Sequence, residues 1–342
     1  MKNDVTAIIP TLREAPHLGT LLADLLGQTG VELTILVADG GSDDGTQEVA
    51  RSLGATVVTS EAGRGRQMNA AARQATSTWL FFVHADTGLP RPDLLQRALQ
   101  RLWDEGFDDP IAGHFPLRFP SPTCRGCLRY RYLERKSALG RPHTIHGDQG
   151  LLIRRSFFES LGGFHEELPF LEDQVIAAQI RQVGRFLTLP GYLQTSTRRF
   201  DDGGFFPTYL QMAVVMGAFV AECPEFFDAC RQIYAEKSGV STGELLRAVA
   251  VASRQMAPLR SLRRWARVGR FVRRNAYQIP LAVDIACEPL VGPDGVFLPA
   301  FEEWIEERLE ASPFAPALDV TALGLTVLTL LAIFAAVDDP LP

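Results

Sequence analysis

Four places in this 342-residue chain put acids and bases where they could act together. Asp39 stands before a Gly40-Gly41 turn, where a carboxylate can accept from a base N–H or ribose hydroxyls. Turn or helix capping is the alternative, and it is favoured for Asp43 and Asp44. Gly63-Arg64-Gly65-Arg66-Gln67-Met68-Asn69 joins glycines and two arginines to a helix start, the composition of an anion site, with a solvated loop as the bland reading. Asp86 closes the apolar run Leu80-Phe81-Phe82-Val83-His84-Ala85, where it can hold Mg2+ or Mn2+ together with diphosphate oxygens and water. His84 lies two residues before and points to the same side, as a packed strand histidine or a second ligand. Glu172-Asp173 opens a helix, whose start favours carboxylates. Asp173 there could be a helix cap or a general base toward a hydroxyl.

The elements that would carry these residues are legible. Short apolar runs at 5–9, 33–38, 56–59 and 79–83 alternate with helical stretches near 16–27, 45–53 and 65–75. Such alternation implies an α/β fold with a mostly parallel sheet covered by helices on both faces. Ligands then bind beyond the carboxyl ends of the strands, where Pro10-Thr11, Asp39, Gly63–Arg66 and His84–Asp86 all fall. Further on, 147–153 reads as a strand, 155–161 as a short helix, and 172–183 as a helix stopped by Gly184.

With these pieces in place, the chain resembles a family 2 glycosyltransferase of the GT-A fold over about residues 5–200. The likeness runs through Ile9-Pro10-Thr11 with Glu14, Val37–Thr46, Gly65–Asn69, His84-Ala85-Asp86, Gly147-Asp148-Gln149-Gly150, Gly162-Gly163-Phe164 and Glu172-Asp173. Within the family it is most similar to a subgroup associated with radical-SAM/selenium-domain proteins, carrying the same Gly-Arg-Gly-Arg-Gln-Met-Asn and His-Ala-Asp runs. The resemblance implies a nucleotide-sugar donor (a UDP- or GDP-sugar), Mn2+ or Mg2+, and an inverting displacement onto an acceptor hydroxyl. It implies Asp173 as the base, with Glu172 beside it as a catalytic residue, and Asp86 with His84 at the metal. Donor contacts are implied for Pro10, Thr11, Glu14, Asp39, Arg64, Arg66, Asn69, Ala85, Asp148, Arg198 and Arg199; for the last two a surface role stands equal. The departure is His84, at the first place of the family's usual Asp-x-Asp. Two rivals remain: a nucleotidyltransferase on a related fold, disfavoured because Pro10–Arg13 replaces a Gly-rich basic loop, and a nucleotide-sugar binding protein without catalysis.

The bulk composition bounds the rest. With 46% hydrophobic and 22% charged residues the chain is globular, and a net charge of −6 argues against nucleic acid as a partner. The five cysteines read as reduced thiols, since Cys124 and Cys127 lack a second metal-spaced pair. No signal peptide opens the sequence, which implies the cytoplasmic side. The expected domains are 1–204 (GT-A), 205–312 (helical) and 313–342 (apolar tail). Eight arginines between 254 and 274 alternate with apolar residues, the pattern of a helix on an anionic membrane or one paired with local acids. The uncharged run 320–337 is near the lower limit for a membrane span, with a buried or dimer-forming helix as its rival. A lipid acceptor is inferred from these two features.

Overall fold

The computed structural model describes residues 2–106, 110–119, 127–236, 243–245, 248–249 and 258–336. Two compact units divide the chain, Met1–Thr197 and Arg198–Pro342. Cys124 falls outside the described residues. Cys127, Cys223, Cys230 and Cys287 are free thiols.

The first unit alternates strand and helix: β1 (Asp4–Thr11), α1 (Ala15–Leu26), β2 (Glu32–Asp39), α2 (Thr46–Ser52), β3 (Thr56–Thr59), α3 (Arg64–Ala72), β4 (Trp79–Phe82) and α4 (Leu94–Glu105). There follow β5 (Ile111–His114), β6 (Leu117–Arg118), α5 (Leu128–Ala138), β7 (Leu151–Arg154), α6 (Arg155–Ser160), α7 (Glu172–Val183), β8 (Arg185–Thr188) and β9 (Leu193–Gln194). The main sheet has the order β3-β2-β1-β4-β7-β5-β8, and β6 and β9 form a separate ribbon. The pairs β3–β2, β2–β1, β1–β4 and β5–β8 are parallel, whereas β7 runs antiparallel to both neighbours. The sheet is therefore mostly parallel, as the alternation implies.

Both faces of the sheet are buried. On β1, Val5, Ala7 and Ile9 enter one core with Leu18, Leu21 and Leu22 of α1, while Ile8 enters the other with Met68 of α3 and Ile176 of α7. On β4, Trp79 and Phe81 join the first core, Leu80 and Phe82 the second. This two-sided burial is why the strands read as unbroken apolar runs. The strand expected at 147–153 divides in the structure: Gly147–Gln149 is a single 3-10 turn and only Leu151–Arg154 pairs. Gly150, at φ 64°, separates the two, and a Cβ there would come within 2.9 Å of Phe81. The left-handed backbone breaks the extended run that its apolar residues suggested.

The second unit is helical: α8 (Arg198–Gly203), α9 (Phe205–Val220), α10 (Pro224–Glu236), α11 (Pro258–Arg274), α12 (Gln278–Ala286), α13 (Glu288–Val291), α14 (Phe297–Phe301), α15 (Glu307–Ala311) and α16 (Ala315–Ala336). Helix α11 is the arginine-rich segment. Its arginines meet acids of the same unit: Arg264 pairs with Glu225, Arg267 with Glu222, Arg273 with Asp319 and Glu310, and Arg274 with Glu310. Of the two readings of this helix, pairing with local acids describes these four arginines; Arg254 and the side chain of Arg260 lie outside the described residues. No helix of the described residues is long and apolar enough to cross a membrane. Most side chains of the run 320–337 are not among those described.

Candidate active site

The ligand side of the sheet lies where β1 is flanked by β2 and β4, the point at which the strand order reverses. Two groups of polar side chains gather there.

The first knits the ends of β1 and β2. Thr11 stands opposite Asp39 in the parallel register. The Asp39 carboxylate, fully buried, accepts from Thr11 Oγ1 at 3.1 Å, Gly41 N at 3.1 Å, Ser42 N at 2.9 Å and Gln47 Nε2 at 2.7 Å, and from Ser42 Oγ. Burial alone would raise its pKa, but the donors from Ser42, Gln47 and Gly41 outweigh burial and hold it below the ordinary value. Gln67, absent from the sequence-derived candidates, donates to the carbonyls of Thr11 and Ala38 at 2.7 and 2.8 Å. The neighbouring loops are cross-linked as well. Arg13 N donates to Ser42 Oγ, Glu14 N to Thr46 Oγ1 and Ala15 N to Asp44, and the Arg13 side chain pairs with Asp43 at 2.7 Å. Asp44 accepts from the Thr46 amide and hydroxyl at the start of α2, whereas Asp43 makes an ion pair with Arg13 and not a cap. Pro10 and Glu14 flank this knot, half-buried. Asp39 itself differs from its expected free-acceptor role: both oxygens are engaged by its own loop.

The second group surrounds the start of α7. Leu171, a non-glycine at φ 69°, turns the chain into the helix. Asp173 Oδ2 accepts from Gly147 N at 2.6 Å, and its Oδ1 from Gln174 N at 2.7 Å. The side chain of Glu172 is 1% exposed and pairs through Oε1 with Arg64 at 3.1 Å, while Oε2 has no hydrogen-bond partner. Removal from water first, then the charge of Glu172, push Asp173 up to about 7, against the pull of Arg64 and the two backbone donors. Asp148 sits in the 3-10 turn and adds its field to Arg64. A cavity of about 30 Å³ opens beside the acidic pair, its lining including His84, His146, Gly147, Glu172, Asp173 and Phe164. A Cβ on Gly147 would lie 2.7 Å from His84 Nε2, so a side chain there would have to displace the His84 ring. Ala85 is buried and Asp86 is partly exposed beside it.

The structure thus brings Arg64, Asp148, Glu172, Asp173 and His84 together. It places Arg66 and Asn69 elsewhere. Arg66 pairs with Glu61 at 2.8 Å and Glu167 at 3.0 Å. Asn69 is 6% exposed and spends its amide on the backbone of Phe164. The donor contacts implied for these two give way to packing between α3 and the segment after α6, because that segment supplies partners 95 or more residues away. Arg198 and Arg199 open α8 in the second unit. Sequence reasoning missed Gly147, Gln67 and Gln174. A buried Gln174 donates to the Ile145 carbonyl and meets His146 Nδ1 at 3.3 Å. Gln67 and Gly147 each lay inside a motif already singled out, which was their only signal.

Residues 6–162 match the glycosyl transferase family 2. This segment, somewhat under half of the chain, is similar to family 2 glycosyltransferase domains. The mostly parallel sheet with flanking helices, followed by a helical C-terminal region, accords with the GT-A fold expected of it. PGL/p-HBAD biosynthesis glycosyltransferases of Mycobacterium bovis and Mycobacterium tuberculosis are 28% identical over 173 residues, which is 48% of this chain and 65% of the relatives. The match therefore spans less than two thirds of those proteins. Among solved structures, a mannosyltransferase from Pyrobaculum calidifontis in complex with GDP-Man and Mn2+ aligns at 19% identity over 96% of this chain and 88% of that one, with a TM-score of 0.48. S. aureus TarS 1–349 in complex with UDP aligns at 15% identity over 91% of each chain, with a TM-score of 0.45.

Proposed function

We propose that this chain moves a sugar from a UDP- or GDP-sugar onto an acceptor hydroxyl with inversion, and that Asp173 is the base. The observation that carries this reading is the acidic pair itself. Asp173 is fixed by the Gly147 amide, faces the cavity at the ligand side of the sheet, and has a proton affinity matched to neutral pH. In the reaction, Asp173 takes the acceptor O–H proton, the acceptor oxygen bonds to the anomeric carbon, and the bond from that carbon to the diphosphate breaks, the electron pair leaving with the nucleoside diphosphate. Glu172 sets the local field and Arg64 balances it.

Among the described residues no three of His, Cys, Asp and Glu gather to hold a metal ion. A cation here would take at most two protein ligands, Asp86 and His84, and complete its shell from diphosphate and water, which suits Mg2+ or Mn2+. When bound, it would stabilise charge on the departing diphosphate. Ala85 and Asp148 border this end of the site, and Pro10, Thr11, Glu14 and Asp39 shape the loops at the nucleoside end. The relation to the radical-SAM/selenium-domain-associated subgroup is part of the same proposal and rests on the Gly63–Asn69 and His84–Asp86 runs.

The acceptor is proposed to be borne by a lipid at the cytoplasmic face of a membrane. Support comes from large apolar side chains that the second unit leaves exposed, among them Ile279, Leu290, Trp304 and Phe314. Arg264, Arg267, Arg273 and Arg274 of α11 add little, being paired with acids.

The test is product analysis with UDP-, GDP- and dTDP-sugars and Mn2+. Free nucleoside diphosphate, lost in Asp173→Asn, supports the proposal. Pyrophosphate points to nucleotidyl transfer, and tight donor binding without turnover to a binding protein.

A further inference from the structure

We propose that the edge of α3 bearing Arg64, Gly65 and Asn69 is a dock for segment 163–173, and that these residues position the acidic pair instead of touching the donor. The proposal rests on Asp173 and Glu172 being the reactive acids.

The contacts run in step along two segments about a hundred residues apart. Asn69 acts as a backbone mimic: its Oδ1 accepts from Phe164 N at 2.9 Å, and its Nδ2 donates to the Phe164 carbonyl at 2.8 Å and to Glu166 at 2.9 Å. Arg73 reaches the same Glu166 at 3.4 Å, and Arg66 reaches Glu167 at 3.0 Å. Arg64 closes the series on Glu172 at 3.1 Å. Gly65 has no room for a side chain: a Cβ would stand 2.7 Å from the His165 carbonyl oxygen. Gly163 answers from the other side. It lies at φ 77°, and its Cβ would fall 2.7 Å from Asn69 Oδ1. Gly65 lets the two backbones approach this closely, and Gly163 takes a left-handed conformation that leaves room for the Asn69 amide.

This arrangement argues against donor binding by the same residues. Asn69 is 6% exposed with both amide atoms engaged. Arg64 neutralises a carboxylate that is 1% exposed, and withdrawing it toward a phosphate would leave a buried charge unpaired. The dock fixes the chain up to Glu167, Leu171 turns it, and Arg64 holds the first residue of α7. Small displacements of a reacting group cost large factors in rate, so the dock sets where Asp173 lies against the Gly147 turn.

The experiment uses the full chain with Asn69→Ala, Gly65→Ala, Arg64→Gln and Arg64→Lys, with UDP and GDP plus Mn2+ as binding probes. Nucleoside diphosphate affinity should stay within about threefold of wild type while release of nucleoside diphosphate from a sugar donor falls by about tenfold or more, a loss in kcat and not in KM. Arg64→Lys should recover part of the Arg64→Gln loss. Hydrogen exchange across 164–173 should quicken by about tenfold in Asn69→Ala and Gly65→Ala, as local opening becomes easier. A loss of UDP or GDP affinity of about tenfold in Arg64→Gln, with exchange across 164–173 unchanged, would overturn the proposal and make Arg64 a phosphate clamp. If the glycine or asparagine variants do not fold, Arg64→Gln and Arg66→Gln carry the same exchange measurement, and unchanged exchange in both refutes the dock. Should wild type bind no nucleoside diphosphate, the glycosyl-transfer reading fails, yet the exchange result still decides the dock.

Discussion

Asp39 and Asp173 are both carboxylates at the ligand side of one sheet, and the structure treats them oppositely. Asp39 receives five hydrogen bonds from Thr11, Gly41, Ser42 and Gln47, and its pKa falls. Asp173 receives two backbone N–H groups, stands beside buried Glu172, and is pushed up to about 7. Burial alone raises both. The number of donors and the sign of the nearest charge decide which carboxylate becomes a fixed anion that ties loops together and which can exchange a proton near neutrality.

The largest expected effect tests the proton-exchanging member. Asp173→Asn should lower nucleoside diphosphate release by about 100- to 10,000-fold, the range for a lost general base, while circular dichroism shows an unchanged fold. Retained turnover would erase the chemical half of the contrast. Asp39→Ala should act mainly on stability, costing about 3 kcal/mol in urea unfolding, because buried donors lose their acceptor. If Asp39→Ala left stability intact and removed only nucleotide binding, Asp39 would be a donor contact after all.

The pH dependence should carry opposite signs at the two sites. Asp173 must be ionised to act as base, so activity should fall as pH drops through about 7. Its raised pKa also means that the folded state holds this proton more tightly than the unfolded chain. The stability it contributes is complete below the ordinary value of 3.8 and is lost as pH rises through about 7. Asp173→Asn should therefore melt higher than wild type at pH 8, with the difference closing toward pH 4. Asp39, with its lowered pKa, contributes stability above the ordinary value and loses it as pH falls. Thermal melts of both variants against pH measure the two trends. The smallest effect is expected at the exposed Arg13–Asp43 pair. Arg13→Ala should shift melting only slightly, and raised salt should abolish the shift, since surface pairs are weak and screened.

Much of this was legible in the residues. Continuous apolar runs bounded by turn formers gave the positions of β1 to β4 to within a few residues, because two-sided burial and turn chemistry are local demands. The break at Gly150 was not legible, since the apolar residues after it suit a strand whether or not the preceding turn is extended. The residues around the site were found for the same local reason: strand ends and a helix start attract polar groups.

What each group touches was decided only in three dimensions. A carboxylate before a Gly-Gly turn reads identically whether its lone pairs are spent or open, and for Asp39 the answer depends on Thr11, 28 residues away. Arg64, Arg66 and Asn69 read as an anion site until the chain returns 95 to 108 residues later and places Phe164, Glu167 and Glu172 against them. Composition and periodicity fixed the layers and the strand ends, because those follow from burial and backbone geometry within short windows. The division between fixed and exchangeable charge required tertiary structure, because hydrogen bonds and Coulomb fields are set by distance in space, on which separation along the chain is silent.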